Sequence, residues 1–279
     1  NRRDGRARHI FQDARNRSMQ DISETNSAAL ENPMKTLFAI LILTTLLTGC
    51  STEWGWYVVD PSNKSGLINL KFLLSGYYYT LLLSFTSITI SVCVGLLVAL
   101  PGLSQNPWLR NCNRIYVEVV RSVPILVLIL WVYYGLPPMT GLEINVFWAG
   151  VIALALSDSA FQAEIFRAGI QSIDKGQYEA SHTISLSYTD TMRFVILPQA
   201  IRRILPALGN QLVYMLKMSS LVSVIGMQEL TRKANELVVT EYRPLEIYTV
   251  LVLEYLVLIL AVSACVRWLE RRLKTNENI

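Results

Sequence analysis

Residues 76–100, "GYYYTLLLSFTSITISVCVGLLVAL", contain no Asp, Glu, Lys or Arg. A helix needs about 20 apolar residues to cross the roughly 30 Å hydrocarbon core of a bilayer, and this stretch is long enough. Further apolar segments of similar length lie at about 115–135, 146–168, 205–226 and 245–266. An open-ended segment satisfies its backbone in lipid only as a helix. The sequence therefore predicts an all-α integral membrane protein with five core transmembrane helices.

The composition also indicates a membrane protein. Hydrophobic residues make up 52% of the chain and charged residues only 16%, whereas soluble domains carry about 25% charged residues. The formal net charge of +4 comes from basic residues in short loops, without a basic patch interleaved with aromatics, so we expect no nucleic-acid partner. The four cysteines are far apart and there are only two histidines, so no metal site is expected.

Lysine and arginine predict which loops are cytoplasmic, because cytoplasmic loops carry an excess of both. They are concentrated after the first core span, between the third and fourth spans, and after the last: Arg110, Arg114, Arg167, Lys175, Arg193, Arg202, Arg203, Arg267, Arg271, Arg272 and Lys274. The opposite side receives fewer, namely Lys64, Lys71, Arg232, Lys233 and Arg243. This orientation places residues 51–75 in the periplasm and residues 274–279 in the cytoplasm.

Two interpretations remain open for the segment before the core. Residues 1–33 are polar and arginine-rich, so we expect a disordered N-terminal extension, with Met34 as the natural start. Residues 34–50, "MKTLFAILILTTLLTGC", combine a short apolar run with a small-residue stretch before Cys50. The segment is either a signal whose cleavage leaves a lipidated Cys50, or a first transmembrane helix. Both interpretations take the chain from inside to outside.

Residues 176–226, "GQYEASHTISLSYTDTMRFVILPQAIRRILPALGNQLVYMLKMSSLVSVIG", resemble a known motif. It is similar to the cytoplasmic loop of permease subunits of bacterial polar amino acid ABC importers, of the histidine/glutamate/glutamine permease type. The positions that carry the resemblance are Glu179, Ala180, Val195, Leu197 and Pro198, with Ser181 in place of a second alanine and Ser185 in place of a glycine. "RIYVEVVRSVPILVLILWVYYGLP" and "AEIFRAGIQSI" also read like this family, and the resemblance covers about residues 70–273.

The resemblance implies a type I ABC importer transmembrane domain at 76–273, with a coupling loop at 175–206 that docks in a groove on an ATPase subunit. The residue pattern predicts one helix over 177–186 and a second over 188–197 that stops at Pro198. Glu179 is expected to make a charge-assisted contact with the ATPase. Serine in place of the glycine at 185 means either that the turn is remodelled or that its tightness is not essential.

The resemblance also implies the partners. The chain has no G-x-x-x-x-G-K-[ST] loop, so we expect no cofactor in this chain and no enzyme activity, with ATP and Mg bound by a separate ATPase dimer. The other expected partners are a second permease copy or a paralogous permease, a periplasmic solute-binding protein, the amino acid substrate and membrane lipid. The expected location is the bacterial inner membrane.

Polar residues within the apolar segments are candidates for a substrate pathway, since intramembrane charges mark function more often than not. Asn210, Tyr214 and Lys217 share one helical face, Asp158 and Gln162 share another, and Glu164 lies on a third with Ser157 and Phe161. The candidate pathway residues are Asp158, Gln162, Glu164, Asn210, Tyr214, Lys217, Ser219 and Ser220. The alternative is an internal Lys217–Asp158 pair that only holds the bundle together. Glu118 and Arg121 are expected to form a structural pair.

Two other functions fit parts of the sequence. A secondary transporter or channel that works without ATP would predict inverted internal repeats, and none is visible in the sequence. A membrane-anchored envelope lipoprotein would rest on "LTGC" alone and would leave five apolar segments unexplained. The sequence therefore favours a permease subunit that forms the translocation path for a polar amino acid and couples to an ATPase through the loop between Glu179 and Pro198.

Overall fold

The computed structural model describes residues 54–274, and these residues form helices joined by turns. Residues 1–53 lie outside the described part, so the predictions for the N-terminal extension and for Cys50 stay predictions. The helices are α1 (Lys64–Leu74), α2 (Gly76–Gly102), α3 (Pro107–Ser122), α4 (Ile125–Thr140), α5 (Val146–Gln171), α6 (Lys175–Thr183), α7 (Leu197–Met218), α8 (Leu230–Glu241) and α9 (Pro244–Lys274). The all-α prediction is confirmed for this part of the chain.

Helices α2 and α5 form the centre of the bundle and pack closely along their length. The buried face of α2 carries small residues, Ser84, Ser87, Ser91, Gly95 and Ala99. A Cβ atom added at Gly95 would lie 2.3 Å from the Cβ of Gln162. Small residues let two membrane helices approach each other, so this face of α2 meets α5, while large apolar side chains such as Leu82, Leu96 and Leu97 remain exposed.

The predicted second span at 115–135 is interrupted. Helices α3 and α4 meet at a bend of 92°. Pro124 follows Val123, whose backbone is extended with φ −87° and ψ 123°. Proline disfavours the α conformation in the residue before it, which accounts for the break at this position. The two helices form either a broken span or a re-entrant pair.

Within residues 54–274, three stretches are long and apolar enough to cross a membrane, namely Lys64–Gly102, Val146–Gln171 and Pro244–Arg272. The bent pair α3–α4 is a fourth candidate. The predicted span at 205–226 falls on α7 and a 3₁₀ segment, Ser219–Ile225. It is not among the four because α7 carries Arg202, Arg203, Asn210, Gln211 and Lys217.

The end of the bundle that is predicted to be periplasmic is held by Glu229. Its carboxylate caps α8 by accepting hydrogen bonds from the backbone N–H groups of Thr231 (2.9 Å) and Arg232 (2.7 Å). The Tyr255 hydroxyl of α9 donates to the same carboxylate at 2.8 Å. Glu229 is completely buried, so it joins α8 to α9 inside the fold.

Candidate functional site

The coupling segment, residues 175–196, resembles a coupling loop and folds as a helix, a tight turn and a second helical stretch. Asp174 caps α6 by accepting a hydrogen bond from the Gly176 N–H at 2.6 Å. After α6, the N–H of Ser185 donates to the His182 carbonyl at 2.9 Å, and the N–H of Leu186 donates to the Ser181 carbonyl at 3.1 Å. These two bonds form a Schellman motif, which ends a helix by means of one left-handed residue.

Ser185 is that left-handed residue, with φ at +59°. The turn is therefore not remodelled, because serine adopts the backbone conformation for which glycine is favoured. A left-handed conformation costs a non-glycine residue roughly 1–2 kcal/mol. The hydrogen bonds of the Schellman motif hold Ser185 in this conformation despite that cost.

The prediction that Pro198 stops the second helix is wrong. The chain is helical over Tyr188–Asp190, passes through a π-helical stretch at Thr191–Ile196 and continues as α7. Pro198 lies in the first turn of α7. A proline is tolerated there because the π-helical stretch just before it is a local adjustment that accommodates the missing N–H group. The coupling segment thus runs directly into α7.

The outer surface of this segment is open. The Glu179 and Ala180 side chains are exposed, and within residues 54–274 the Glu179 carboxylate has no hydrogen bond or ion pair. Three large apolar side chains are also exposed, Ile184, Tyr188 and Phe194. Of the remaining motif residues, Val195 is half-buried, and Leu197 and Pro198 are exposed. An exposed carboxylate among exposed apolar side chains is suited to docking a protein partner.

The inner surface of the same segment is anchored. Ile170, Ile173, Ile196, Ala200 and Ile204 form a buried cluster beneath it. The Gln199 amide donates to the Gln177 side chain at 3.1 Å, and Arg203 donates to the Ser172 carbonyl at 2.5 Å. These contacts connect α6 to the ends of α5 and α7.

Asp158 lies in a hydrogen-bond network inside the bundle. Its carboxylate accepts bonds from the Ser91 hydroxyl of α2 (2.5 Å), the Gln162 amide of α5 (2.9 Å) and the Gln211 amide of α7. Only 3% of its surface is exposed. Buried polar groups are retained when hydrogen bonds satisfy them, and these three donors do so for Asp158. The network connects three helices.

Lys217 is not the partner of Asp158, so the internal-pair alternative is wrong. The Lys217 side chain is exposed, and the ion pairs found within residues 54–274 do not include it. Asn210 and Tyr214 are exposed on the same face of α7, as the helical spacing predicts. This face carries one unpaired cation and two hydrogen-bonding side chains.

The face extends from α7 onto α5 and α3 through aromatic contacts. The rings of Tyr214 and Phe161 are 6.5 Å apart, and the Arg121 guanidinium lies 4.7 Å from the centre of the Phe161 ring. Glu164, one turn further along α5, pairs with Arg167 at 2.7 Å. Helices α7, α5 and α3 thus meet around Phe161, with Lys217 unpaired and the Glu164 carboxylate paired with Arg167.

Ser219 and Ser220 lie at the end of α7. Ser219 is completely buried and donates to the Leu216 carbonyl at 2.8 Å. Ser220 donates to the Lys217 carbonyl at 2.7 Å. Ser219 thus lies in the interior of the bundle, and Ser220 is half-buried next to Lys217.

Sequence reasoning missed Ser91, Gln211 and the role of Arg121. Glu118 pairs with Arg114 at 2.8 Å rather than with Arg121, which leaves Arg121 for the Phe161 ring. The spacing of three residues allowed the expected pair, but a spacing of four allows the observed one equally well. Gln211 could have been noticed as an amide within an apolar segment, although nothing in the sequence points it toward Asp158.

Comparison with known proteins gives consistent matches. The profile of the family described as binding-protein-dependent transport system inner membrane component matches residues 91–275. The glutamine transport system permease protein GlnP of Escherichia coli (strain K12) is 37% identical over 80% of this chain and 99% of its own length. The arginine transport system permease protein ArtQ of Bacillus subtilis (strain 168) is 36% identical over 75% of this chain and 95% of its own. A crystal structure of an amino acid ABC transporter with histidines aligns with a TM-score of 0.70 at 42% identity, over 75% of this chain and 97% of that chain.

Proposed function

Because the chain belongs to the family of binding-protein-dependent transport system inner membrane components, we propose that its polar face and its coupling segment together carry ATP-driven import of a polar amino acid. The chain is the permease subunit of an amino acid ABC importer. As a membrane-spanning transport subunit, it supplies the translocation path for the amino acid. The observation that supports the proposal most directly is the exposed Glu179 side chain, which lies on the coupling segment that continues into α7.

The coupling step is proposed to work through this connection. An ATPase subunit would dock on the exposed surface of Glu179, Ile184, Tyr188 and Phe194. The unpaired Glu179 carboxylate is available for a charge-assisted hydrogen bond to the partner. Because α6 is anchored to α5 and α7, movement of the ATPase would move the two helices that carry Phe161 and Tyr214.

The substrate path is proposed to follow the face of Asn210, Tyr214, Lys217, Phe161 and Glu164. Lys217 would attract the substrate carboxylate, and Glu164 would interact with the ammonium group. Asp158 and Gln162 do not line this face, since both side chains are buried inside the bundle of one subunit. Relatives named for glutamine and arginine transport support a polar amino acid as the substrate class.

The proposed transporter contains three further components besides this chain. A separate ATPase dimer would bind ATP and Mg, a second copy of this chain or a paralogous permease would complete the path, and a periplasmic solute-binding protein would deliver the substrate. The proposed location is the bacterial inner membrane, with the coupling segment in the cytoplasm. The outward α8 region is the proposed contact for the solute-binding protein.

Glu179→Ala tests the coupling role. The variant should fold and insert normally, because the Glu179 side chain is exposed and its carboxylate makes no hydrogen bond or ion pair within residues 54–274. Loss of a charge-assisted hydrogen bond worth about 1.5–3 kcal/mol should weaken ATPase docking tenfold or more. Co-purification of the ATPase and ATP-driven uptake in proteoliposomes measure the two effects.

Glu143→Ala is the matched control, because Glu143 is an exposed carboxylate outside the coupling segment. It should leave docking and uptake unchanged. Normal docking and uptake by Glu179→Ala at equal expression would refute the assigned role. Uptake that proceeds without ATP would instead favour a secondary transporter.

A further inference from the structure

An arginine-lined cleft lies at the end of the bundle that is predicted to be cytoplasmic. It has a volume of about 400 Å³ and lies along α3, beside the ends of α2 and α5. Its charged lining consists of Arg110, Arg114, Arg121, Arg167, Glu118 and Glu164. Two of the arginines are neutralised, since Arg114 pairs with Glu118 and Arg167 with Glu164. The cleft therefore keeps two excess positive charges.

The two excess charges belong to Arg110 and Arg121. Arg121 lies over the Phe161 ring and has no ion pair within residues 54–274. Arg110 is exposed, and its guanidinium has neither an ion pair nor a hydrogen bond in the same part of the chain. An arginine presents a planar set of N–H donors that fits the oxygens of a phosphate group, so the cleft is suited to a phosphate-bearing ligand.

The floor of the cleft is rigid. Asn113 is buried and donates to the Val98 carbonyl of α2 at 2.6 Å. Gly102 leaves room for this side chain, because a Cβ there would lie 2.7 Å from the Asn113 Oδ1 atom. Helix α3 is thus held against the end of α2, and the arginines project from a fixed base.

The surroundings of the cleft are those of the membrane–water interface. The same helix exposes Trp108, at 79%, together with Ile115 and Val119. These three share one helical face by their spacing. Tryptophan is enriched at the headgroup level of bilayers, and exposed isoleucine and valine are suited to contact with acyl chains. Basic pockets at the cytoplasmic ends of membrane helices bind anionic lipid headgroups.

We propose that this cleft binds the phosphate headgroup of an anionic phospholipid of the cytoplasmic leaflet, with the unpaired Arg110 and Arg121 as its principal contacts. The ligand chemistry is a phosphodiester that carries a negative charge, and the apolar face of α3 accommodates its acyl chains. The cleft lies outside the coupling segment and does not include Lys217, but it shares Arg121 and Glu164 with the proposed substrate face.

Quenching of Trp108 fluorescence by lipids brominated on their acyl chains tests this proposal. The full-length protein would be reconstituted in phosphatidylcholine vesicles with increasing amounts of brominated phosphatidylglycerol. The Trp108→Phe variant supplies the signal of the other tryptophans. We expect phosphatidylglycerol to quench Trp108 at lower mole fractions than brominated phosphatidylcholine does.

Arg110→Gln should weaken this preference about fivefold, since one basic residue near an anionic surface contributes about 1 kcal/mol. The double variant Arg110→Gln/Arg121→Gln should abolish most of it. Lys64→Gln is the matched control, because it removes one exposed positive charge at the opposite end of the bundle. It should leave the preference unchanged, and a melting temperature equal to that of the wild type would show that each variant is folded.

Several results would overturn the proposal. Equal quenching by both lipids, or an unchanged preference in Arg110→Gln, would mean that the cleft does not recognise the headgroup. Displacement of the lipid by inorganic phosphate at constant ionic strength would identify a site for a soluble anion. Displacement by the transported amino acid would assign the cleft to the exit of the substrate path, and a change in oligomeric state in Arg110→Gln would identify a contact between copies of this chain.

Discussion

Gln211 of α7 donates a hydrogen bond to the carboxylate of Asp158 of α5, deep inside the bundle. Ser91 of α2 and Gln162 of α5 complete the set of donors. One carboxylate therefore connects the two central helices to the helix that continues from the coupling segment.

We predict that Asp158→Ala lowers the free energy of unfolding by about 2–4 kcal/mol, because three buried donors lose their acceptor. Asp158→Asn should lose less, since the amide oxygen still accepts one or two of these bonds. Thermal melting in detergent measures both. Gln211→Ala combined with Asp158→Ala should be less destabilising than the sum of the single changes, and strict additivity would argue against the interaction.

Lys217→Met should leave stability unchanged, because Lys217 has no ion pair within residues 54–274 and its side chain is exposed. Substrate affinity should fall about tenfold, corresponding to the loss of one modest ionic contact of about 1.4 kcal/mol. Isothermal binding of the amino acid to the purified complex measures the change. Lys217→Arg keeps the charge and should retain most of the affinity. Reduced stability with intact binding would exclude the substrate role.

Ser185→Gly should stabilise the coupling turn by up to about 1 kcal/mol, because glycine adopts a positive φ without steric cost. Ser185→Ala is the control: it removes the hydroxyl but keeps the Cβ, and it should give no gain. Hydrogen exchange of the Leu186 amide, which donates across the turn, reports this local effect. Faster exchange in Ser185→Gly than in the wild type would contradict it.

Glu229 should make stability depend on pH. Burial raises the pKa of its carboxyl from 4.5 to about 7, although hydrogen bonds from Thr231, Arg232 and Tyr255 act in the opposite direction. Between these two values the folded state holds a proton that the unfolded state has lost, so this contribution to stability falls as pH rises from about 4.5 to about 7. The full effect is on the order of 3 kcal/mol.

Melting temperatures measured across this pH range test the assignment. Glu229→Gln cannot titrate, so its melting temperature should fall less steeply with rising pH than that of the wild type. Glu143→Gln removes an exposed carboxylate and should keep the wild-type slope. The same slope in the wild type and in Glu229→Gln would show that another group is responsible.

The sequence by itself determined the class of the protein, because hydropathy and motif spacing are local properties. Apolar length predicted the helices at 76–100, 146–168 and 245–266, and the structure has α2, α5 and α9 there. The run from Glu179 to Pro198, together with its flanks, indicated an amino acid ABC permease, and the comparisons confirm this. Neither inference requires knowledge of which helices are neighbours.

Only the tertiary structure decided the partners of the polar groups. Asp158 lies 67 positions from Ser91 and 53 from Gln211 along the chain, and local spacing carries no information over such separations. Arg121 shows the same limit within a single helix, because Glu118 had a choice between Arg114 and Arg121. Packing against α5 placed Arg121 on Phe161 instead. The left-handed Ser185 and the continuous helix through Pro198 likewise depend on hydrogen bonds and packing around the coupling segment, which override the conformational preferences of the single residues.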